Sequence, residues 1–556
     1  MSASPQGFFS RLLAAPERRQ RLALALLSAA LFLPGLTALP ATDRDESRIA
    51  QSSKQMLASG NFVDVRLQDR PRYNNPAGIH WLQSATAFLA GGAARNRIWP
   101  YRVPSLIAAI VAVQLLYGLG RRLFDGRVAL IGAALFASCL LFGVEARIGT
   151  TDAALLVAVL AAQSALARLD ADRRAGQPSG WRAALLFWAS LAAGLLIKGP
   201  PVLLASVGTL LALVVLEGGH GWWRRLRPLA GLGVIAIAVG PWLLAMDAEA
   251  RAAFLDATVG RGLLSGLIAV RDSHGAPPGA YLLASWALLW PASLPAALAI
   301  PWARAHWREP GVRFLLAWIV PAWLLVEFAA TKQPQYVLPL FPAIALLAAA
   351  PARDGVLPRR AWRSLSLALW VFIGLALVVA VASLPWDLGR RAGMAAGVTA
   401  AVVVALIGFL VLRRRREGVA GMTPALVLMS LMLQAGAFQW VLPRVDALWP
   451  SRAVARAVRA ARGCPEALLA AAGYREPSLV FELGEKTKLT NAEGAAAHLL
   501  ADPRCALALV EAAQRPAFLD ALSGAGATPV LRSEIAALGL AKGERLDLEL
   551  YSLAPE

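Results

Sequence analysis

The feature that most constrains this chain is a series of apolar runs, each of about 20 residues, recurring from Leu22 to Leu442. Wound as a helix, a run of that length crosses a hydrocarbon core of about 30 Å. Candidate spans lie at 22–41, 102–120, 127–143, 151–167, 182–197, 201–217, 229–246, 279–300, 313–330, 335–351, 363–384, 393–412 and 420–442. The chain therefore reads as an α-helical polytopic membrane protein with about thirteen transmembrane helices. The stretch from Gly78 to Gly91 is apolar but too short to span, and reads as an interfacial helix. Hydrophobic residues make up 58% of the chain and charged residues 16%. A soluble domain carries roughly 45–50% and about 25%, so that class is excluded. A net charge of +20 could suit nucleic acid. The arginines, however, cluster in short loops between spans, a pattern that speaks for topology and for membrane lipids as partners. No nucleic acid is expected.

The loop arginines set the orientation. Arg121/Arg122, Arg168/Arg173/Arg174, Arg224/Arg225/Arg227, Arg304/Arg308, Arg353/Arg359/Arg360 and Arg413 to Arg416 fall in alternate loops, which places those loops and the N-terminus in the cytoplasm. Arg390 and Arg391 go against the pattern. Arg18, Arg19 and Arg21 precede an apolar run that is long for a signal peptide and lacks a small-x-small cleavage site, so it reads as a retained first span. An odd number of spans then puts the first loop (42–101), the His274 loop and the C-terminal region outside.

Residues 1–442 form the membrane domain, and the character of the chain changes after Pro443. Leu479–Leu483, Ala506–Val510, Pro529–Leu531 and Leu546–Tyr551 read as strands. Ala453–Ala461 and Glu511–Leu522 read as helices, the second interrupted by Pro516. Residues 443–556 are thus expected to form a small extracytoplasmic α/β domain. It has no GxGxxG and no phosphate loop, so no nucleotide site is assigned. Cys139 lies inside a span, whereas Cys464 and Cys505 flank the first predicted strand outside, where oxidising conditions allow a disulfide.

Chemistry is best sought in the first loop, TDRDESRIAQSSKQMLASGNFVDVRLQDRPRYNNPAGIHWLQ. Asp43, Asp45 and Glu46 cluster where the chain leaves the first span, and acids at that boundary must be solvated or used. Ser47 to Leu57 reads as an amphipathic surface helix with Ile49, Met56 and Leu57 near one face. Asp43 or Asp45 could simply cap that helix. Alternatively Asp45 is a general base, with Arg48 one turn on to hold an anion. Asp152, opening a span in RIGTTDAALL, is either a helix-start residue favoured by the dipole or a second active-site acid. Lys198 in LLIKGP and Lys332 in TKQPQY sit at outer ends of apolar runs, as snorkelling anchors or as grips for a lipid phosphate. His274 in RDSHGAPPGAY has no second metal ligand at short spacing, which favours a hydrogen-bonding residue.

These segments together resemble the C-type glycosyltransferases of family 39, which use polyprenyl-phosphate sugars and include bacterial aminoarabinose transferases and protein O-mannosyltransferases. DRDESRIAQSSKQMLASG is similar to that family's first-loop signature; RIGTTDAALL, LLIKGP, HGAPPGAYLL and KQPQYVLPLFPAIALL match later segments in the same order. The resemblance runs over about residues 20–350. It implies that Asp45 is the catalytic aspartate, that Arg48 lies near the phosphate and that Asp152 and Lys198 are further residues of the cavity. Glu46 is a further candidate catalytic acid and Lys332 a further candidate for the phosphate. His274 and Tyr336 would line the same cavity. Where the family has a basic residue before proline, this chain has Asn74-Asn75-Pro76. Asn75 can donate a hydrogen bond but brings no charge, so Lys332 or Arg72 would have to compensate. The same change removes a carboxylate partner for His274, which argues against a metal; no cofactor is required.

The expected activity is inverting sugar transfer from an undecaprenyl-type phosphate to lipid A or another envelope glycan, at the outer face of the bacterial inner membrane. A protein acceptor is the alternative. A lipid-linked-sugar flippase is a different class, but no internal repeat or matched pair of interrupted helices points to it. A non-catalytic scaffold leaves the acidic first loop without a use. A reporter fused after Glu556 is expected to be active only outside the cytoplasm; cytoplasmic activity would overturn the topology.

Overall fold

The computed structural model describes residues 8–178, 180–217, 219, 221–258, 275–355, 358–388, 393–413, 418–461, 463–464, 467–539 and 543–554. Among them eight helices are long and apolar enough to cross a membrane, from Trp99–Leu123 to Val419–Arg444. Gly126–Ser138, Trp181–Ile197 and Pro201–Glu217 are shorter apolar helices. The other two expected spans are helical in pieces, Glu17–Phe32 and the pair Ala280–Leu288 and Ser293–Ala305.

The first span differs from expectation at both ends. It starts at Glu17 and stops at Phe32, and the chain then turns through Pro34 and Gly35 (φ +90°). A side chain at Gly35 would lie 2.8 Å from Phe438 Cβ, so the turn packs backbone-close. Stopping a helix early frees carbonyls that lipid cannot satisfy. Two buried arginines take them. Arg147 donates through Nε to Pro34 O at 2.7 Å and through a terminal nitrogen to Leu31 O. Arg102 donates to Leu36 O (2.9 Å), Leu39 O (2.8 Å) and Pro40 O (2.7 Å). Arg102 also pairs with Glu46 through Nε–Oε1 at 2.7 Å and Nη2–Oε2 at 2.9 Å, and neither side chain is exposed.

The span expected at 127–143 is also broken. Gly126–Ser138 and Leu140–Glu145 are separate helices, with Cys139 extended between them (ψ 135°). The freed groups find partners within the bundle. Leu140 N donates to Trp290 O at 3.0 Å, and Ser138 O accepts from Ser430 Oγ at 2.6 Å.

The C-terminal region is a five-stranded mixed sheet in the order Lys488–Thr490, Leu469–Ala472, Leu507–Glu511, Glu544–Leu553, Pro529–Gly539. The first three strands run parallel and the last two pair antiparallel. The expected strand Leu479–Leu483 is instead the end of a helix, Pro477–Leu483. Proline opens a helix without losing a needed N–H, and a short, mostly apolar run does not distinguish helix from strand. Pro516 likewise begins the Arg515–Gly524 helix rather than interrupting one. This domain rests on the first loop: Gln68 Nε2 donates to Glu485 O (2.9 Å) and Thr487 O (2.7 Å), Ser478 donates to Asp43, and Phe481 meets Tyr101 edge-on at 5.7 Å. First loop and C-terminal domain therefore lie on one side of the bundle.

Cys464 and Cys505 form a disulfide, with Cα atoms 5.4 Å apart and a sequence separation of 41. In the chain-entropy description such a bridge contributes roughly 3–4 kcal/mol. Both thiols are expected to resist alkylation in unreduced, denatured protein; full alkylation would rule the bridge out. Removing one member of the buried Glu46–Arg102 pair leaves an uncompensated charge, at a cost of about 3–5 kcal/mol. Glu46→Gln and Arg102→Met should each destabilise the purified protein by that order, and the double variant by less than their sum. Additive losses in unfolding measurements would show that the two side chains do not act as a pair.

Candidate active site

The loop helix Asp45–Ser59 carries the first candidate groups. Arg44 immediately before it has φ +61°, a left-handed conformation disfavoured for a residue with Cβ. That conformation is held from below by Glu46, whose Oε2 accepts from Thr42 N and Thr42 Oγ1, both at 2.9 Å. Glu46 Oε1 accepts from Gly149 N at 2.7 Å. Burial would raise this carboxyl, but Arg102 and the Thr42 and Gly149 amides outweigh it and hold it below the usual carboxylate range. With no exposed surface and both oxygens engaged, Glu46 braces the site rather than touching a substrate, a correction to its expected catalytic place.

Beneath the loop helix lies a buried polar seam. Ser53 Oγ sits 2.8 Å from Gln83 Oε1 and 2.9 Å from His80 Nδ1, and Gln83 Nε2 donates to Gly149 O at 2.9 Å. Gly149 is therefore held through both its N–H and its C=O. A Cβ there would come within 3.0 Å of Tyr101 O. Burial, then the charge of Arg72, push the His80 imidazole down to about 3, so the ring is neutral. Gln51 on the loop helix is also buried, and its Nε2 donates to Gln55 Oε1 at 3.3 Å.

The Gly149 loop delivers Asp152, the first residue of the Asp152–Arg174 helix, to Lys198 at the end of Trp181–Ile197. Lys198 Nζ and Asp152 Oδ1 are 2.5 Å apart, and both side chains are largely buried. Two glycines make this meeting possible. Gly199 (φ +83°) ends the helix in the left-handed conformation. Gly78 lets the Gly78–Ala90 helix approach Leu196 so closely that a Cβ would lie 2.5 Å from its carbonyl oxygen. Tyr336, in the Pro334–Leu340 turn, interacts electrostatically with Lys198, as does the buried Glu145. Glu145 Oε2 accepts from Thr150 Oγ1 at 2.8 Å.

Asp45 stands at the mouth of this arrangement. Its side chain is 55% exposed, with Arg48 Nη1 at 3.9 Å. Neither acid named as a cap fills that role: Arg44 occupies the cap position, Asp43 accepts from Ser478, and no side chain caps the helix. Asp152 is likewise inside its helix, after Thr151. Arg72 lies within electrostatic reach of both Arg48 and Asp45; burial, then Arg48, lower its guanidinium to about 10. Its buried Nε has no hydrogen-bond partner among the described residues. Asn75 is half-buried in the turn ahead of Gly78. Lys332 is elsewhere: its ammonium donates to Glu327 O and Ala329 O, each at 2.7 Å, closing the end of the Pro310–Phe328 helix. Two of its three donors are thus taken by those carbonyls. His274 lies outside the described residues. Among the described residues no group of three or more His, Cys, Asp or Glu is placed to hold a metal ion.

Sequence reasoning did not find Arg102, Arg147, Glu145 or His80. The first two carried a usable signal, since an arginine at a span boundary that is not in a cytoplasmic loop has to be paid for by a buried partner.

The family described as dolichyl-phosphate-mannose-protein mannosyltransferase matches residues 74–244. The undecaprenyl phosphate-alpha-4-amino-4-deoxy-L-arabinose arabinosyl transferase of Pseudomonas paraeruginosa is 30% identical over 346 residues, 60% of this chain and 59% of that protein. The Enterobacter protein of the same name is 27% identical over 372 residues, 66% of each. The chain thus spans less than two thirds of the length of these relatives. ArnT from Cupriavidus metallidurans, solved bound to undecaprenyl phosphate, superposes with a TM-score of 0.74 at 18% identity, covering 95% of this chain and 97% of that one. Without ligand the same protein gives a TM-score of 0.69 at 19% identity. The chain is therefore a multi-pass membrane protein with the ArnT fold, similar in sequence to these arabinosyl transferases and, over residues 74–244, to the mannosyltransferase family.

Proposed function

We propose that this chain transfers a sugar from an undecaprenyl-type polyprenyl phosphate to lipid A or another envelope glycan, inverting the anomeric centre. The observation that carries the reading is the placement of one exposed carboxylate, Asp45, among Arg48, Arg72 and the Asp152–Lys198 pair at the outer end of the bundle. The names of the relatives and the undecaprenyl phosphate in the ArnT structure support the same donor. In the reaction the anomeric carbon–oxygen bond to phosphate breaks, and a bond to the acceptor oxygen forms. Asp45 accepts the acceptor's proton. The departing lipid phosphate needs fixed positive charge, which Arg48, Arg72 and Lys198 supply. Arginine suits this because its planar fork holds two phosphate oxygens and stays charged. Asp152 points Lys198, and Tyr336 completes that side. The membrane would be the bacterial inner membrane, with the site and the C-terminal domain periplasmic; the alternating loop arginines support this orientation. A protein acceptor is the second reading, favoured by the family description over residues 74–244.

The test is transfer from purified lipid-linked sugar, with mass spectrometry of lipid A, other envelope glycans and exported proteins from cells with and without the gene. Base catalysis contributes about 10²–10⁴-fold, so Asp45→Asn should lose turnover by that order while donor binding survives. Arg72→Ala should weaken donor binding as well as rate. A well-folded Asp45→Asn enzyme with near-normal transfer would sink the assignment of the base.

A further inference from the structure

Glu145 has no part in the mechanism above, yet it is a buried acid beside that mechanism's only lysine. Its side chain is about one-twentieth exposed, at 5%, and ends the Leu140–Glu145 helix beyond the membrane run that precedes it. Thr150 Oγ1 donates to it at 2.8 Å. The charged groups facing it come from three elements: Asp152 at the start of its helix, Lys198 at the end of Trp181–Ile197, and Asp45 on the loop helix. Tyr336 lies beyond Lys198. Arg147, two residues on, is turned away, with its guanidinium on Pro34 O and Gln434 Oε1. Gln434 is uncharged, and the nearest titratable group of the Ala280–Leu288 helix, Tyr281, donates its hydroxyl to Gln333 O.

The charge balance of the site then turns on one proton. Arg48, Arg72 and Lys198 stand against Asp45, Asp152 and Glu145. If all six are ionised the site is neutral, whereas with Glu145 protonated it holds one positive charge in excess. A phosphate anion entering a largely buried site is drawn by that excess. Resting on the donor assignment proposed above, we infer that Glu145 is a proton-linked control on donor binding: the lipid phosphate binds while Glu145 is protonated, and is released as Glu145 ionises. Burial, followed by the charge of Asp152, pushes this carboxyl up to about 8, which puts the transition in an accessible range. The hydrogen bond from Thr150 acts the other way, favouring the charged form.

The experiment measures binding of a short-chain polyprenyl phosphate to the full-length protein in nanodiscs between pH 6.5 and 9.5. For the natural chain, affinity should be level below about pH 8 and fall above it, approaching about tenfold per pH unit for one linked proton. Glu145→Gln fixes the neutral form and keeps an acceptor for Thr150, so its affinity should stay level to pH 9.5. Thr150→Val keeps the shape and removes the donor, so its fall should begin at higher pH. The second ionisation of the ligand's phosphate lies below this range and is common to all three proteins. Parallel curves for the natural chain and Glu145→Gln would overturn the inference, as would a natural chain whose affinity does not change with pH. If Glu145→Gln does not fold, an unshifted Thr150→Val curve overturns it equally. Absence of polyprenyl phosphate binding at every pH is a different failure, since it removes the donor assignment itself.

Discussion

The candidate site is anchored on one buried contact, the two-pronged pairing of Glu46 with Arg102. The pair is joined by the Gly149 amide on one side and by the carbonyls of Leu36, Leu39 and Pro40 on the other. It ties together four pieces of chain distant in sequence: the end of the first span, the loop helix, the start of Trp99–Leu123 and the loop that opens Asp152–Arg174. A buried ion pair is a weak source of net stability, because desolvating two charges costs about as much as their attraction returns. Its value here is geometric. Glu46 is the next residue after Asp45, so fixing the one leaves the other little choice of position. Gly149 is three residues before Asp152, so the same carboxylate also sets the place of the second acid.

Placing a polar site at the end of a helical bundle requires helices to stop where the bilayer does not readily satisfy their carbonyls. Arg102 and Arg147 solve this in the same way, each as a multiple donor to the ends of broken helices. The extended break at Cys139 works by the same rule with neutral partners, Trp290 O and Ser430 Oγ. Irregular backbone at membrane depth is tolerated where protein covers it, and these breaks are covered. Arg360–Leu388 and Gly393–Arg413, by contrast, run unbroken.

The membrane architecture was legible because the hydrocarbon core imposes a length on every span, and length can be read directly. Each of the thirteen expected segments contains a helix. The break at Cys139 was not legible, since its run has the composition of unbroken ones, whereas Pro34–Gly35 carried a turn signal that the apolar run around it masked. In the C-terminal domain short apolar runs misled: Leu479–Leu483 could pair or coil, and only Pro477 ahead of it carried the answer. The strand Leu469–Ala472 is mostly alanine and takes its conformation from pairing with Leu507–Glu511, a long-range cause invisible locally. At the site, Asp45, Arg48, Asp152 and Lys198 stood out as charges at span boundaries. Glu145 and His80 did not, because a polar residue beside a predicted loop passes for a solvated one until the fold buries it.

The substitution of Asn74-Asn75 for a basic residue is where this chain's own solution is clearest. The resemblance places a positive charge before Pro76, and Lys332 and Arg72 were the two residues expected to replace it. Lys332 Nζ directs two of its three donors to the carbonyls of a helix end and lies 5.7 Å from the Tyr281 ring. Arg72 has the opposite character. It is largely buried next to a second guanidinium, and carries a donor with no partner among the described residues. Two like charges in that position repel, and burial makes the repulsion stronger. An arrangement of that kind is unfavourable by itself and favourable around an anion. Under the proposed function, an anion between Arg48 and Arg72 would relieve that repulsion, with Asp45 opposing them from the mouth of the site.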